Sequence, residues 1–155
     1  MGIQYRNNPE DNFEAFWLEF DQMYGLFRVK GVDWGAVYGQ YRPMVDGQTT
    51  DEELYAVFVE MLSLLDDGHI ILLPVGTDLP MYRGGPAGKI DTTRDFNLEL
   101  PNGWGYSMSI GEWRAADGRS YEGIGLPPDE VVQNVRADYL NGRDEALERA
   151  IELLR

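Results

Sequence analysis

A single imidazole is available to this chain, that of His69, and it follows two carboxylates and a glycine in Asp66-Asp67-Gly68-His69. Histidine is the side-chain type whose unperturbed pKa lies near neutrality, which suits it to moving a proton at a reacting group. The alternative is a structural imidazole that bonds a carbonyl at the turn. Asp66 and Asp67 are placed to orient or charge-stabilise the ring, although acidic pairs at helix ends are also common surface residues. The C-terminal end of a helix disfavours anions by a few tenths of a kcal/mol, which hints at a use for them. Glu122 lies in Tyr121-Glu122-Gly123-Ile124-Gly125, where glycines let the backbone approach a ligand or another strand closely. Read blandly, it is a solvated strand residue.

Other chemistries are excluded or weakened. Gly84-Gly85-Pro86-Ala87-Gly88-Lys89 superficially resembles a phosphate loop but lacks the glycine spacing that ends in Lys-Ser/Thr, so no nucleotide site is expected. The serines at 63, 107, 109 and 120 include no glycine-flanked nucleophile elbow. With no cysteine and one histidine, disulfides, thiolate zinc sites, iron–sulfur clusters and multi-histidine metal centres cannot be built, and no cofactor is expected. The net charge of −14, from 13 Lys plus Arg against 27 Asp plus Glu, repels phosphate backbones and anionic lipid, so neither nucleic acid nor membrane is an expected partner. No signal peptide or membrane span is written in the sequence, which leaves the compartment open.

These residues need elements to position them. At 155 residues and 43% apolar, the chain can bury a core of its own. Phe13, Phe16, Trp17, Phe20, Met23, Tyr24 and Phe27 trace one face of a helix over 11–29, capped by Asp11 or Asn12 and closed at Gly31, a spacing that marks core rather than a ligand platform. Asp33 caps a second helix, Trp34 to Tyr41, which Pro43 stops. Thr50-Asp51-Glu52-Glu53 is a capping box opening a third helix, with Leu54, Val57, Phe58, Met61, Leu62 and Leu65 as its stripe. Three amphipathic helices joined by modest loops predict a bundle over residues 1–68.

Beyond it the period changes to that of strands. His69 to Val75 reads as a strand, residues 76–93 as a long connection rich in Gly and Pro, and Arg94 to Ile110 as a hairpin turning at Pro101-Asn102-Gly103. Residues 119–135 read as a further extended part of the sheet, and a last helix from Asp144 carries Leu147, Ala150, Ile151 and Leu154 as a stripe to be buried. The expected fold is α+β: an N-terminal three-helix bundle (1–68), then a small mainly antiparallel sheet and a C-terminal helix (69–155), together forming one compact unit.

In its motifs the chain resembles the C-terminal-processing (tail-specific) serine peptidases, in particular their tricorn-like and retinoid-binding-protein-like branch. The resemblance rests first on Asn12-Phe13 to Trp17, Tyr24 to Phe27, Val32-Asp33-Trp34, Tyr41-Arg42-Pro43 and Leu65-Asp66-Asp67-Gly68-His69. It continues in Gly85-Pro86-Ala87-Gly88, Leu100-Pro101-Asn102-Gly103, Tyr121 to Gly125, Pro128-Asp129 and Asn141-Gly142-Arg143-Asp144. It implies that His69 is the general base of a Ser-His-Ser-Glu tetrad and Glu122 its acidic member, with Lys89 as the alternative base of the processing branch. Gly85, Gly88 and Gly123 become candidate binding positions, an extended polypeptide tail the substrate, and a bacterial envelope or secreted location the setting.

One departure qualifies all of this. Family members place well over a hundred residues between the two blocks, holding the strands of a crotonase-like core, the oxyanion hole and the nucleophilic serine. Here about ten residues bridge them. A base without a nucleophile cannot complete acyl transfer, so the expectation is a shortened peptidase core without activity. The alternatives are a module binding a peptide or a small apolar ligand, or a purely structural or designed minimal domain. A missing layer leaves an apolar face or edge uncovered, which predicts a homodimer.

Overall fold

The computed structural model describes residues 5–85, 98–122 and 124–155. Among them the fold is α+β, with six α-helices and one four-stranded antiparallel sheet, and the chain divides into two units, Met1–Gly125 and Leu126–Arg155. No helix among the described residues is long and apolar enough to cross a membrane.

Helix α1 (Pro9–Met23) starts two residues earlier than expected. Asn8, not Asp11 or Asn12, is the cap: its Oδ1 accepts from the Asp11 N–H at 2.8 Å. Pro9, which has no N–H to leave unsatisfied, fills the first helical position. The helix also ends early, at Met23, although the apolar spacing continues to Phe27. Tyr24 turns extended, the Gly25 N–H donates to the Ser109 carbonyl at 3.0 Å, and the two backbones cross so closely that a Cβ on Gly25 would overlap Ile110 and Gly111. A long-range backbone bond thus replaces the next helical one. One further turn, α2 (Phe27–Lys30), closes at Gly31 in the left-handed region.

Helices α3 (Trp34–Tyr41) and α4 (Asp51–Ser63) begin at the expected caps. Asp33 accepts from Ala36 N–H at 3.0 Å, and Thr50 and Glu53 cap each other's backbone at 3.3 and 2.9 Å. Pro43 sits in a short 3₁₀ turn, Arg42–Met44, that ends α3. The helices meet through aromatic rings: Phe16 stacks on Phe58 of α4 at 4.0 Å between centroids, and the indoles of Trp17 and Trp34 each donate to the other's carbonyl at 3.1 Å.

Strands β1 (Ile71–Leu73), β2 (Tyr82–Arg83), β3 (Leu98–Glu99) and β4 (Gly105–Ser107) form the sheet in the order β2-β1-β4-β3. Leu72 opposes Tyr106, and both point into the core, where Tyr106 meets Phe16 and Phe20. The hairpin lies where alternation placed it, Leu98 opposing Tyr106 and Glu99 opposing Gly105; its residues 94–97 lie outside the described ones. The described residues of 119–135 form no strand of the sheet. They contribute only an isolated Arg114–Ser120 bridge, and the fourth strand is β2, inside the stretch read as a connection. Two residues are too few to show a period, and Pro127-Pro128 lacks the donors a ladder needs.

In the second unit, α5 (Arg136–Leu140) precedes α6 (Glu145–Leu153). Asp144 caps α6 at Leu147 N–H, 3.0 Å, and Asn134 braces the same turn through Asp144 and Ala146, each at 3.0 Å. The stripe expected to be buried is instead exposed, Leu147 by 57% and Leu154 by 88%. Periodicity marks which face of a helix is apolar, not whether a neighbour covers it.

Gly25→Ala is expected to lower stability by about 2 kcal/mol, since the neighbouring backbone must move. Gly39→Ala, on an open face of α3, should raise it by about 0.5–1 kcal/mol. Urea midpoints at constant slope check both.

Candidate active site

The turn after α4 is built to push one carboxylate inward. Asp66 adopts a positive φ of 42°, which aspartate tolerates better than most residues, and its carbonyl accepts from Lys30 Nζ at 2.8 Å. The reversal leaves Asp67 only 2% exposed, and Ile70 N–H closes the turn on the Asp67 carbonyl at 3.1 Å. Two glycines let the chain beyond β2 pack against it. A Cβ on Gly84 would fall on the Asp67 carbonyl oxygen, and one on Gly85 would strike the Asp66 carboxylate. Arg83 Nε holds the Gly68 carbonyl at 3.0 Å.

Four donor groups surround the Asp67 carboxylate. Oδ1 accepts from the His69 backbone N–H at 3.0 Å and lies 3.1 Å from His69 Nδ1. Oδ2 accepts from the Tyr24 hydroxyl at 3.0 Å and from Ser109 Oγ at 2.8 Å. The convergence is the acceptor-only pattern of an ionised carboxylate. Burial pushes the Tyr24 phenol far above its ordinary range; the charge of Asp67, the hydrogen bond to it and the charge of Glu122 add to the effect. Tyr24 therefore remains a donor. Ser107 Oγ donates to the His69 carbonyl at 2.8 Å, so His69 is held by its backbone on both sides.

Glu122 is half-buried and its N–H donates to Ser120 Oγ at 3.5 Å, while its charge is the least of the causes that raise the Tyr24 phenol. Gly85 is a packing partner of Asp66. Lys89, Gly88 and Gly123 lie outside the described residues. Of the four serines, Ser63 donates to the Glu60 carbonyl at 2.7 Å, Ser107 to His69 and Ser109 to Asp67, while Ser120 Oγ faces the Glu122 N–H. A cavity of about 210 Å³ is lined by Ile71, Leu73, Leu98, Gly105, Tyr106 and Ser107. The arrangement can supply a held imidazole for proton transfer next to an apolar surface.

Sequence reasoning missed Tyr24 and Ser109. Tyr24 lay within an aromatic stripe read as core, yet its hydroxyl, unlike the phenylalanines before it, needs a partner when buried. Ser107 and Ser109 alternate with apolar neighbours, a period-two signal for polar groups aimed at one place.

The fold and this site define an α+β domain centred on a buried carboxylate beside an imidazole. Residues 5–63 match the family model of the Tricorn protease C1 domain. A solved structure described as "a putative peptidase from Parabacteroides merdae ATCC 43184" superposes with a TM-score of 0.71 at 18% identity, covering 96% of this chain and 97% of that one. No curated protein matches the sequence. The structural likeness establishes a shared fold. The matched family segment ends six residues before His69, so it speaks for the helical bundle and not for the site.

Removing the buried carboxylate with Asp67→Ala strands four donors and is expected to cost about 3 kcal/mol, read from the urea midpoint. Tyr24 supplies a pH test. The unfolded chain releases the phenol proton near its ordinary pKa of about 10, whereas the folded chain retains it. The stability Tyr24 contributes is therefore complete below pH about 10 and falls as pH rises above it. Tyr24→Phe should lose about 1 kcal/mol at neutral pH and decline less steeply than the parent between pH about 10 and 12.

Proposed function

We propose that this chain is a serine-peptidase-related domain that keeps the base side of a hydrolytic site, lacks its nucleophile, and does not itself cleave peptides. The observation that carries the reading is the pairing of His69 with Asp67 where the family resemblance puts the general base, while Ser63, Ser107 and Ser109 spend their hydroxyl protons on other acceptors. Acyl transfer needs nucleophile, base and oxyanion donors around one carbonyl, and a hydroxyl committed to a carboxylate or a backbone carbonyl is not poised for attack. The Tricorn protease C1 match supports the tricorn-like branch over the rest of the C-terminal-processing group. Glu122 remains the resemblance's acidic member. Lys89 is the alternative base.

A second reading has its own observation. The 210 Å³ cavity is walled by Ile71, Leu73 and Leu98 and touched by Ser107, which also holds His69. An extended peptide or a small apolar ligand suits such a surface, with the tail recognised and not cut. Self-association of two copies through the exposed α6 stripe of Leu147, Ile151 and Leu154 belongs to either reading.

A fluorophosphonate probe is expected to label no serine, and a mixture of unstructured peptides to remain intact; labelling of any one serine overturns the inactivity. Sedimentation velocity should show a dimer at high micromolar concentration. A monomer there removes self-association from the proposal.

A further inference from the structure

We propose that Asp67 is the positioning residue for His69, fixing the neutral ring as the Nδ1–H tautomer so that Nε2 is the nitrogen that accepts a proton. The inference deepens the reading of His69 as a base and rests on it for its use, though not for its test. An aspartate that merely closed a turn would satisfy a backbone amide two residues on, as Oδ1 does with the His69 N–H at 3.0 Å. Here the same oxygen also stands 3.1 Å from the ring's Nδ1. An ionised carboxylate only accepts, so a hydrogen bond at that distance needs the proton on Nδ1. Neither partner is left to rotate. Oδ2 is pinned by the Tyr24 hydroxyl at the end of α1 and by Ser109 beyond β4, and the His69 backbone is clamped at its carbonyl by Ser107. Three separate stretches of chain thus converge to hold one carboxylate against one ring, the support a preorganised proton acceptor needs. Glu122 stands one step further out, its described influence falling on Tyr24.

The chain's only histidine makes the test direct. In the full chain labelled with ¹⁵N, long-range ¹H–¹⁵N correlation at a pH where the ring is neutral should place Nδ1 in the protonated shift range and Nε2 in the unprotonated range. Free histidine favours the opposite form. Asp67→Ala should lose the Nδ1–H form as major species, whereas Glu122→Gln should retain it. A wild-type ring found mainly as Nε2–H overturns the proposal, as does a tautomer that moves with Glu122→Gln. Should Asp67→Ala not fold, the wild-type and Glu122→Gln spectra still decide. The spectra are independent of catalysis: a serine labelled by fluorophosphonate would end the inactive reading and leave the tautomer as measured, while an Nε2–H ring would end the positioning role whatever the probe shows.

Discussion

A carboxylate taken out of water costs several kcal/mol unless its lone pairs are met, and Asp67 is 2% exposed. What makes that burial tolerable is a ring of donors drawn from places far apart in the chain: Tyr24, His69 and Ser109. Each donor can arrive only if its own segment is placed. The break in α1 at Tyr24, the positive φ of Asp66 and the Gly25 crossing with residues 110–111 are therefore not independent irregularities. Together they bring the end of a helix, a tight turn and the stretch after β4 to a single anion. Such a network is costly to satisfy in part, which gives the fold a sharply defined arrangement at this point.

The aromatic core supplies the frame that makes the convergence possible. Phe16 and Phe20 sit between Phe58 on α4 and Tyr106 on β4, and the paired indoles of Trp17 and Trp34 lock α3 to α1. Arg42 extends the lock by reaching Glu14 at 2.6 Å and the Val45 carbonyl at 2.7 Å. Because α1 is fixed along its length by rings, the residue that follows it, Tyr24, is delivered to Asp67 without freedom to search.

For function, the site's asymmetry matters most. The imidazole side is fully furnished, with its carboxylate and with support for that carboxylate. Hydroxyls nearby are present but committed, two of them to the support itself. A domain organised in this way can hold a proton acceptor beside an apolar surface.

Local signals carried the parts of this molecule that depend on neighbours in sequence. The caps at Asp33, Thr50 and Asp144, the aromatic stripe, the stop at Pro43 and the 98–107 hairpin could be read from spacing alone, because each is decided within a turn or two of chain. His69 and the adjacent aspartates could be singled out by residue type, but not which carboxylate meets the ring. That choice was made by Tyr24 and Ser109, which lie 43 and 42 residues from Asp67. The early end of α1 and the strand β2 were likewise settled by what lies across the fold. Periodicity describes a chain's faces; only packing decides which of them are covered and which buried charge is satisfied.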